Sequence, residues 1–101
     1  LRAGGRAVPL AASLVDQQAA TWGHGCRRPG DAKITFGTGA FAVALAGDRP
    51  PADPNGALPT LAWARDGEAP AYALDGGVYA AGAAVDWARG LGLFGGLAEL
   101  D

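Results

Sequence analysis

Asp16, Gln17 and Gln18 place a carboxylate and two carboxamides side by side where an apolar run ends. A carboxylate at the first turn of a helix can accept the proton of an attacking hydroxyl, and a neighbouring amide can orient that hydroxyl. The same Asp also reads as a helix cap, accepting a backbone N–H and interacting favourably with the helix dipole. Gln17 and Gln18 likewise read as solvated first-turn residues. A second group, Gly37-Thr38-Gly39 between Phe36 and Ala40, is equally two-sided. Gly-x-Gly forms a tight turn, yet it also lets a backbone approach phosphate oxygens closely, with the Thr38 hydroxyl as an added donor. Neither a Gly-Lys-Ser/Thr ending nor a dinucleotide fingerprint accompanies it. His24 and Cys26 stand two apart, but no further His or Cys exists to complete a metal site. Cys26 therefore reads as a small buried filler. Trp22, Trp63 and Trp87 read as core or interface residues.

These groups need elements to hold them. Pro9 to Leu14 has the length and composition of a strand, and Asp16 to Trp22 contains helix formers without a breaker. Ile34 and Phe36 alternate with polar neighbours, then Phe41, Val43 and Leu45 alternate in turn, which predicts a hairpin around the glycine pair. A Pro-rich loop runs from Gly47 to Gly56. Leu61 and Trp63 facing Tyr72 and Leu74 predict a second hairpin, closed by a loop containing Asp66-Gly67. From Val78 the period becomes helical, and Ala80 to Ala84 leave one side of that helix nearly bare. The order strand, helix, four strands, helix is an α/β pattern with an antiparallel portion.

Composition narrows the function classes. The chain has 101 residues, half of them hydrophobic and 18% charged, which suits a folded domain. Eight basic and ten acidic residues are scattered along it, and Arg27-Arg28 beside Lys33 is the one basic cluster, so no nucleic-acid partner is expected. Every apolar run is interrupted before the roughly 18 residues a membrane span needs. One cysteine fits a reducing, cytoplasmic setting.

Four blocks in register carry a resemblance. Asp16-Gln17-Gln18-Ala19-Ala20, Lys33-Ile34-Thr35-Phe36-Gly37-Thr38-Gly39, Tyr72-Ala73-Leu74-Asp75-Gly76 and Ala81-Gly82-Ala83 resemble the FGGY carbohydrate kinases in order and spacing. The likeness covers about Pro9 to Leu93 and matches a central slice of longer proteins. It implies an actin-like, ribonuclease H-like ATPase fold in which two domains close over ATP and a polyol or sugar. Residues 1–25 would then end the first domain, with a strand and the active-site helix. Residues 26–101 would open the second domain, with hairpins and a helix.

By the same resemblance, Asp16 matches the catalytic base and Gln17 a ligand of the substrate hydroxyl. Thr38 and Gly82 match nucleotide contacts, supported by Gly37 and Gly39. ATP and Mg²⁺ are implied as cosubstrate and cofactor, with the metal ligands outside these residues, and a homo-oligomeric parent is compatible with the family. Glycerol or a related polyol is the leading acceptor. A ketose or other sugar is the rival within the family, and a non-catalytic Ala/Gly-rich module is the rival outside it. The chain departs from the family pattern at Val15, where a glycine is usual, at Ile34 for an asparagine, and at Asp86 for a glutamine.

Overall fold

The computed structural model describes residues 1–100. Its centre is an antiparallel sheet of four strands, β3 (Ala32–Phe36), β4 (Ala40–Gly47), β5 (Leu58–Trp63) and β6 (Ala71–Val78), in spatial order β3-β4-β6-β5. Helix α1 (Asp16–Gly23) lies on one face of the sheet, and α2 (Gly82–Gly90) comes after β6. A short 3₁₀ turn, Leu97–Glu99, lies near the end. The fold is a slab: its smallest extent is 19 Å and its radius of gyration 18.5 Å, whereas a compact chain of this length would have about 13 Å.

Both expected hairpins form. Phe36 pairs with Ala40 across the glycine turn, and Leu61 pairs with Tyr72. The expected strand at Pro9 to Leu14 does not, because an apolar run becomes a strand only where a neighbour takes its backbone hydrogen bonds. Residues 8–15 have no ladder partner, and the N-terminal pairing is instead a two-residue ribbon of β1 (Arg2–Ala3) with β2 (Arg6–Ala7). That ribbon is turned by Gly4 and Gly5, both at positive φ. The second helix also begins later than its periodicity suggests. Val78 remains in β6, paired with Ala40, and the chain turns helical only at Gly82.

The sheet buries the face opposite to the one that β3 advertises. Ile34 and Phe36, its apolar pair, are 59% and 79% exposed, while Lys33 beside them in the alternation is only 7% exposed. Cross-strand pairing explains this. Lys33 pairs with Val43, and Thr35 pairs with Phe41, so both share the face of the buried Val43 and Leu45. Successive strand residues alternate sides, which sends Ile34 and Phe36 outward.

On β5 a bulge makes the same selection. Leu61 pairs with Tyr72 and Trp63 with Ala71, so Ala62 is an extra residue. One extra residue reverses the parity of every later position in the strand. Leu61 is exposed, while Trp63 is buried in the core with Cys26, Val43, Leu45, Ala62 and Ala73. Trp63 meets Trp22 of α1 edge to face, with ring centroids 5.0 Å apart. This aromatic pair is one contact of the helix with the sheet, and such pairs add about 0.5–1.5 kcal/mol beyond the area they bury. Trp87 on α2, by contrast, is exposed.

Candidate functional site

Helix α1 starts at Asp16 because Val15 before it is extended, with φ −72° and ψ 157°. Asp16 is thus the first helical residue and not the cap. Its Oδ1 accepts the Gln17 N–H at 2.7 Å, and the carboxylate is otherwise exposed. The other end closes on Gly25, at φ 82°. There the Cys26 N–H donates to Thr21 O at 3.2 Å and the Gly25 N–H to Trp22 O at 3.0 Å, the paired bonds of a Schellman ending. Arg27 adds a cation to that end: its Nη1 donates to Trp22 O at 2.6 Å and to Cys26 O at 2.7 Å, and its guanidinium lies 3.4 Å from the Trp22 ring centroid. Favourable charge at the last turn and stacking on an indole both stabilise this arrangement.

Gln17 points from the helix toward β3. Its Oε1 accepts Lys33 Nζ at 2.6 Å and the Thr35 hydroxyl at 3.3 Å, and Lys33 Nζ also donates to Thr35 Oγ1. Gln18, expected to be solvated, is buried. Sequence reasoning placed Lys33 and Thr35 in a family-like block but assigned neither a role at the site. A lysine and a threonine alternating with Ile34 and Phe36 look like the wet side of a strand; Thr35 is exposed, but Lys33, paired with Val43, is buried.

The glycine turn meets the start of α2. The Ala81 N–H donates to Thr38 O at 2.8 Å, Gly82 N–H to Gly37 O at 3.1 Å, and Ala83 N–H to Thr38 O at 3.1 Å. A helix start leaves N–H groups without intrahelical partners, and α2 has no side-chain cap. The carbonyls of the turn supply that cap. The approach is so close that a Cβ on Gly82 would lie 2.5 Å from Gly37 O, and one on Gly39 2.5 Å from Val78 O. Gly37's own N–H is used within the turn, donating to Gly39 O at 2.8 Å. The Thr38 side chain is exposed, and its hydroxyl has no hydrogen-bond partner among the described residues.

The structure therefore brings Thr38, Gly82, Gly37 and Gly39 into one junction, and gathers Gln17 with Lys33 and Thr35 beside Asp16. Strand β3 joins the two groups. Thr35 and Thr38 are three residues apart, so at about 3.3 Å per residue their backbones are separated by no more than about 10 Å. Among the described residues no group of three or more His, Cys, Asp or Glu is arranged to hold a metal ion. No helix among them is long and apolar enough to cross a membrane.

The loop between α1 and β3 is organised by Asp31. Its Oδ2 accepts the Arg27 N–H at 2.8 Å and the Arg28 N–H at 2.9 Å. The Arg27 amide first, then the Arg28 amide, hold its pKa below the usual 3.8, assisted by the charge of Arg28 and opposed by slight desolvation. A carboxyl with a depressed folded-state pKa contributes stability above its unfolded value that is lost as pH falls through the lower folded value. The Arg27 and Arg28 amide resonances should accordingly shift together on acidification, with a midpoint below 3.8. A midpoint at or above that value would show that these hydrogen bonds do not form in solution.

No protein-family model matches the chain. Curated relatives do. Glycerol kinase of Citrifermentans bemidjiense is 51% identical over 98 residues, which is 96% of this chain and 20% of that protein. Glycerol kinase of Francisella philomiragia is 50% identical over 91 residues, 89% of this chain and 18% of that protein. Among solved structures, Plasmodium falciparum glycerol kinase with ADP superimposes with a TM-score of 0.75 at 33% identity, covering 83% of this chain and 17% of that one. The chain spans about a fifth of the length of the curated relatives it matches. Over that span the chain is similar in sequence to the glycerol kinases, and its mixed α/β structure matches part of a glycerol kinase structure of the actin-like ATPase fold.

Proposed function

We propose that the chain is the central slice of an ATP-dependent kinase that phosphorylates glycerol or a closely related polyol. The observation that carries this reading is the pair of half-sites joined by β3, with Asp16 and Gln17 at one end and Thr38 against Gly82 at the other. The identity to glycerol kinases near one half supports it. In this reading residues 1–25 end the first kinase domain and residues 26–101 begin the second, so the α1–β3 loop is the seam.

The chemistry assigned to these residues is a phosphoryl transfer. Asp16 accepts the proton of the acceptor hydroxyl as its oxygen forms a bond to the γ-phosphorus of ATP, and the bond from that phosphorus to the β–γ bridging oxygen breaks to release ADP. Such transfers pass through loose transition states, where positioning and electrostatics outweigh covalent participation by the protein. The exposed carboxylate of Asp16 is available to a hydroxyl, and the Thr38 hydroxyl is available to a phosphate oxygen. Mg²⁺ is a general requirement of such chemistry, and the family resemblance puts its ligands outside these residues. A cytoplasmic location and a small-molecule acceptor belong to the same reading.

The test is a substrate panel on the full-length kinase containing this chain, read by coupled ADP release. Glycerol should give the highest kcat/KM. A ketose in that place would move the protein to another branch of the family, and no ATP-dependent phosphorylation of any polyol or sugar would reduce the slice to a non-catalytic module.

Thr38→Val tests the nucleotide half separately, since it nearly keeps the side-chain shape and removes the donor. A hydrogen bond to a charged group contributes about 1.5–3 kcal/mol, so kcat/KM for ATP should fall by roughly 10- to 150-fold while acceptor KM stays near wild type. Unchanged ATP kinetics would return Gly37-Thr38-Gly39 to the role of a turn.

A further inference from the structure

Lys33 is a buried charged group that the reaction above leaves unused. It is only 7% exposed, and its ammonium reaches no carboxylate: the ion pairs among the described residues are Arg65–Glu68 and Asp86–Arg89, both on the surface. Burying a cation against neutral partners is costly unless each hydrogen bond is well placed. The partners here are Gln17 Oε1 and Thr35 Oγ1.

The pairing decides the orientation of a carboxamide. An amide side chain presents an oxygen that accepts and a nitrogen that donates, and its two ends are nearly the same shape. An ammonium has three donors and no acceptor, so only the oxygen of Gln17 can face it. Turning the amide over would set two donors against Lys33 and leave a buried cation short of an acceptor. With Oε1 fixed toward β3, Nε2 is directed away from Lys33 and retains its two N–H groups.

We propose that Lys33 is a positioning residue: it fixes the Gln17 carboxamide so that Nε2 donates to a hydroxyl oxygen of the acceptor, and it thereby selects acceptors that offer a lone pair there. The proposal rests on the reading of Gln17 as an acceptor ligand. Lys33 itself touches neither acceptor nor nucleotide, and Thr35 assists by giving the ammonium its second acceptor.

The experiment uses the full-length kinase and a double-mutant cycle. Lys33→Met keeps most of the stem and removes the donors. It should raise KM for glycerol about tenfold, leave KM for ATP within about twofold, and do so only when Gln17 is present. In a Gln17→Ala background the same substitution should change glycerol KM by less than about twofold. Where Lys33→Met fails to fold, Gln17→Glu replaces it. The carboxylate keeps an oxygen on Lys33 and lacks the N–H groups, so the protein should melt no lower than wild type and still show a raised glycerol KM.

An unchanged glycerol KM in Lys33→Met would overturn the proposal, as would an equal rise with and without Gln17, or a parallel rise in ATP KM that marks a general loosening. An unchanged KM in Gln17→Glu overturns it as well. These outcomes are separate from failure of the kinase assignment, which appears in the wild-type assay alone.

Discussion

Asp16→Asn in the full-length kinase should lower kcat by about 10²–10⁴, or about 2.7–5.5 kcal/mol of barrier, with little loss of thermal stability. The structure makes the two effects separable. Asp16 is the first residue of α1, with Val15 in the cap position, and among the described residues its carboxylate makes one hydrogen bond, which Oδ1 accepts from the Gln17 N–H. Asparagine keeps an oxygen for that bond. What it loses is the negative charge at the helix start, worth about 0.3–1 kcal/mol at an exposed position, and the ability to take a proton. The measurement pairs steady-state turnover with a melting curve and a nucleotide titration, so that a collapsed site is not mistaken for a missing base. A stable, nucleotide-binding Asp16→Asn enzyme with near-normal turnover removes this carboxylate from the mechanism.

Gly82→Ala should be strongly damaging to nucleotide use. The added Cβ would meet Gly37 O at 2.5 Å and Gly37 C at 3.3 Å, and both are backbone atoms that cannot swing aside. Relief requires the glycine turn to part from α2, which breaks the bonds that Ala81, Gly82 and Ala83 donate to it. Forcing a methyl into a packed contact costs about 1–3 kcal/mol. Displacing Thr38 by even about 1 Å can reduce a positioned reaction by roughly 10². We expect kcat/KM for ATP to fall by about that factor with glycerol binding nearly retained. Gly90→Ala on the same helix is the control, because a Cβ there meets nothing within 4 Å. It should be neutral or stabilising by up to about 1 kcal/mol. Equal ATP kinetics in the two variants would show that the turn and α2 are not coupled.

Much of this architecture was legible from residue order. Alternation located both hairpins, the glycines marked the turn between Phe36 and Ala40, and an unbroken run of helix formers located α1. The bare side expected of α2 is where the backbone approaches closely, between Gly82 and Gly37. What misled was information held by partners. Pro9 to Leu14 has strand chemistry without a neighbouring strand, and Val78 has helical spacing but a β partner in Ala40. The buried face of β3 is set by its register against β4, and the burial of Trp63 by one extra residue, Ala62. No local pattern encodes either. Asp16, Gln17, Thr38 and Gly82 stand out by residue type and family likeness, whereas Lys33 becomes visible only when the Gln17 amide is found against it.

The strand order leaves β3 and β5 at the two rims of the sheet. Rim strands offer unpaired backbone groups to any other chain in an extended state, and crowded, newly made polypeptides exploit them to aggregate. Each rim here carries a deterrent. β5 contains Pro59, which has no N–H to lend to an incoming strand. β3 contains Lys33, a charge directed into the sheet's covered face, and a strand stacking outward from it would have to bury more surface around an ammonium whose acceptors lie on α1 and β3 itself. The lysine that orients an amide thus lies on the covered face of the same rim strand whose other face exposes Ile34 and Phe36, and an inward charge there disfavours an added strand.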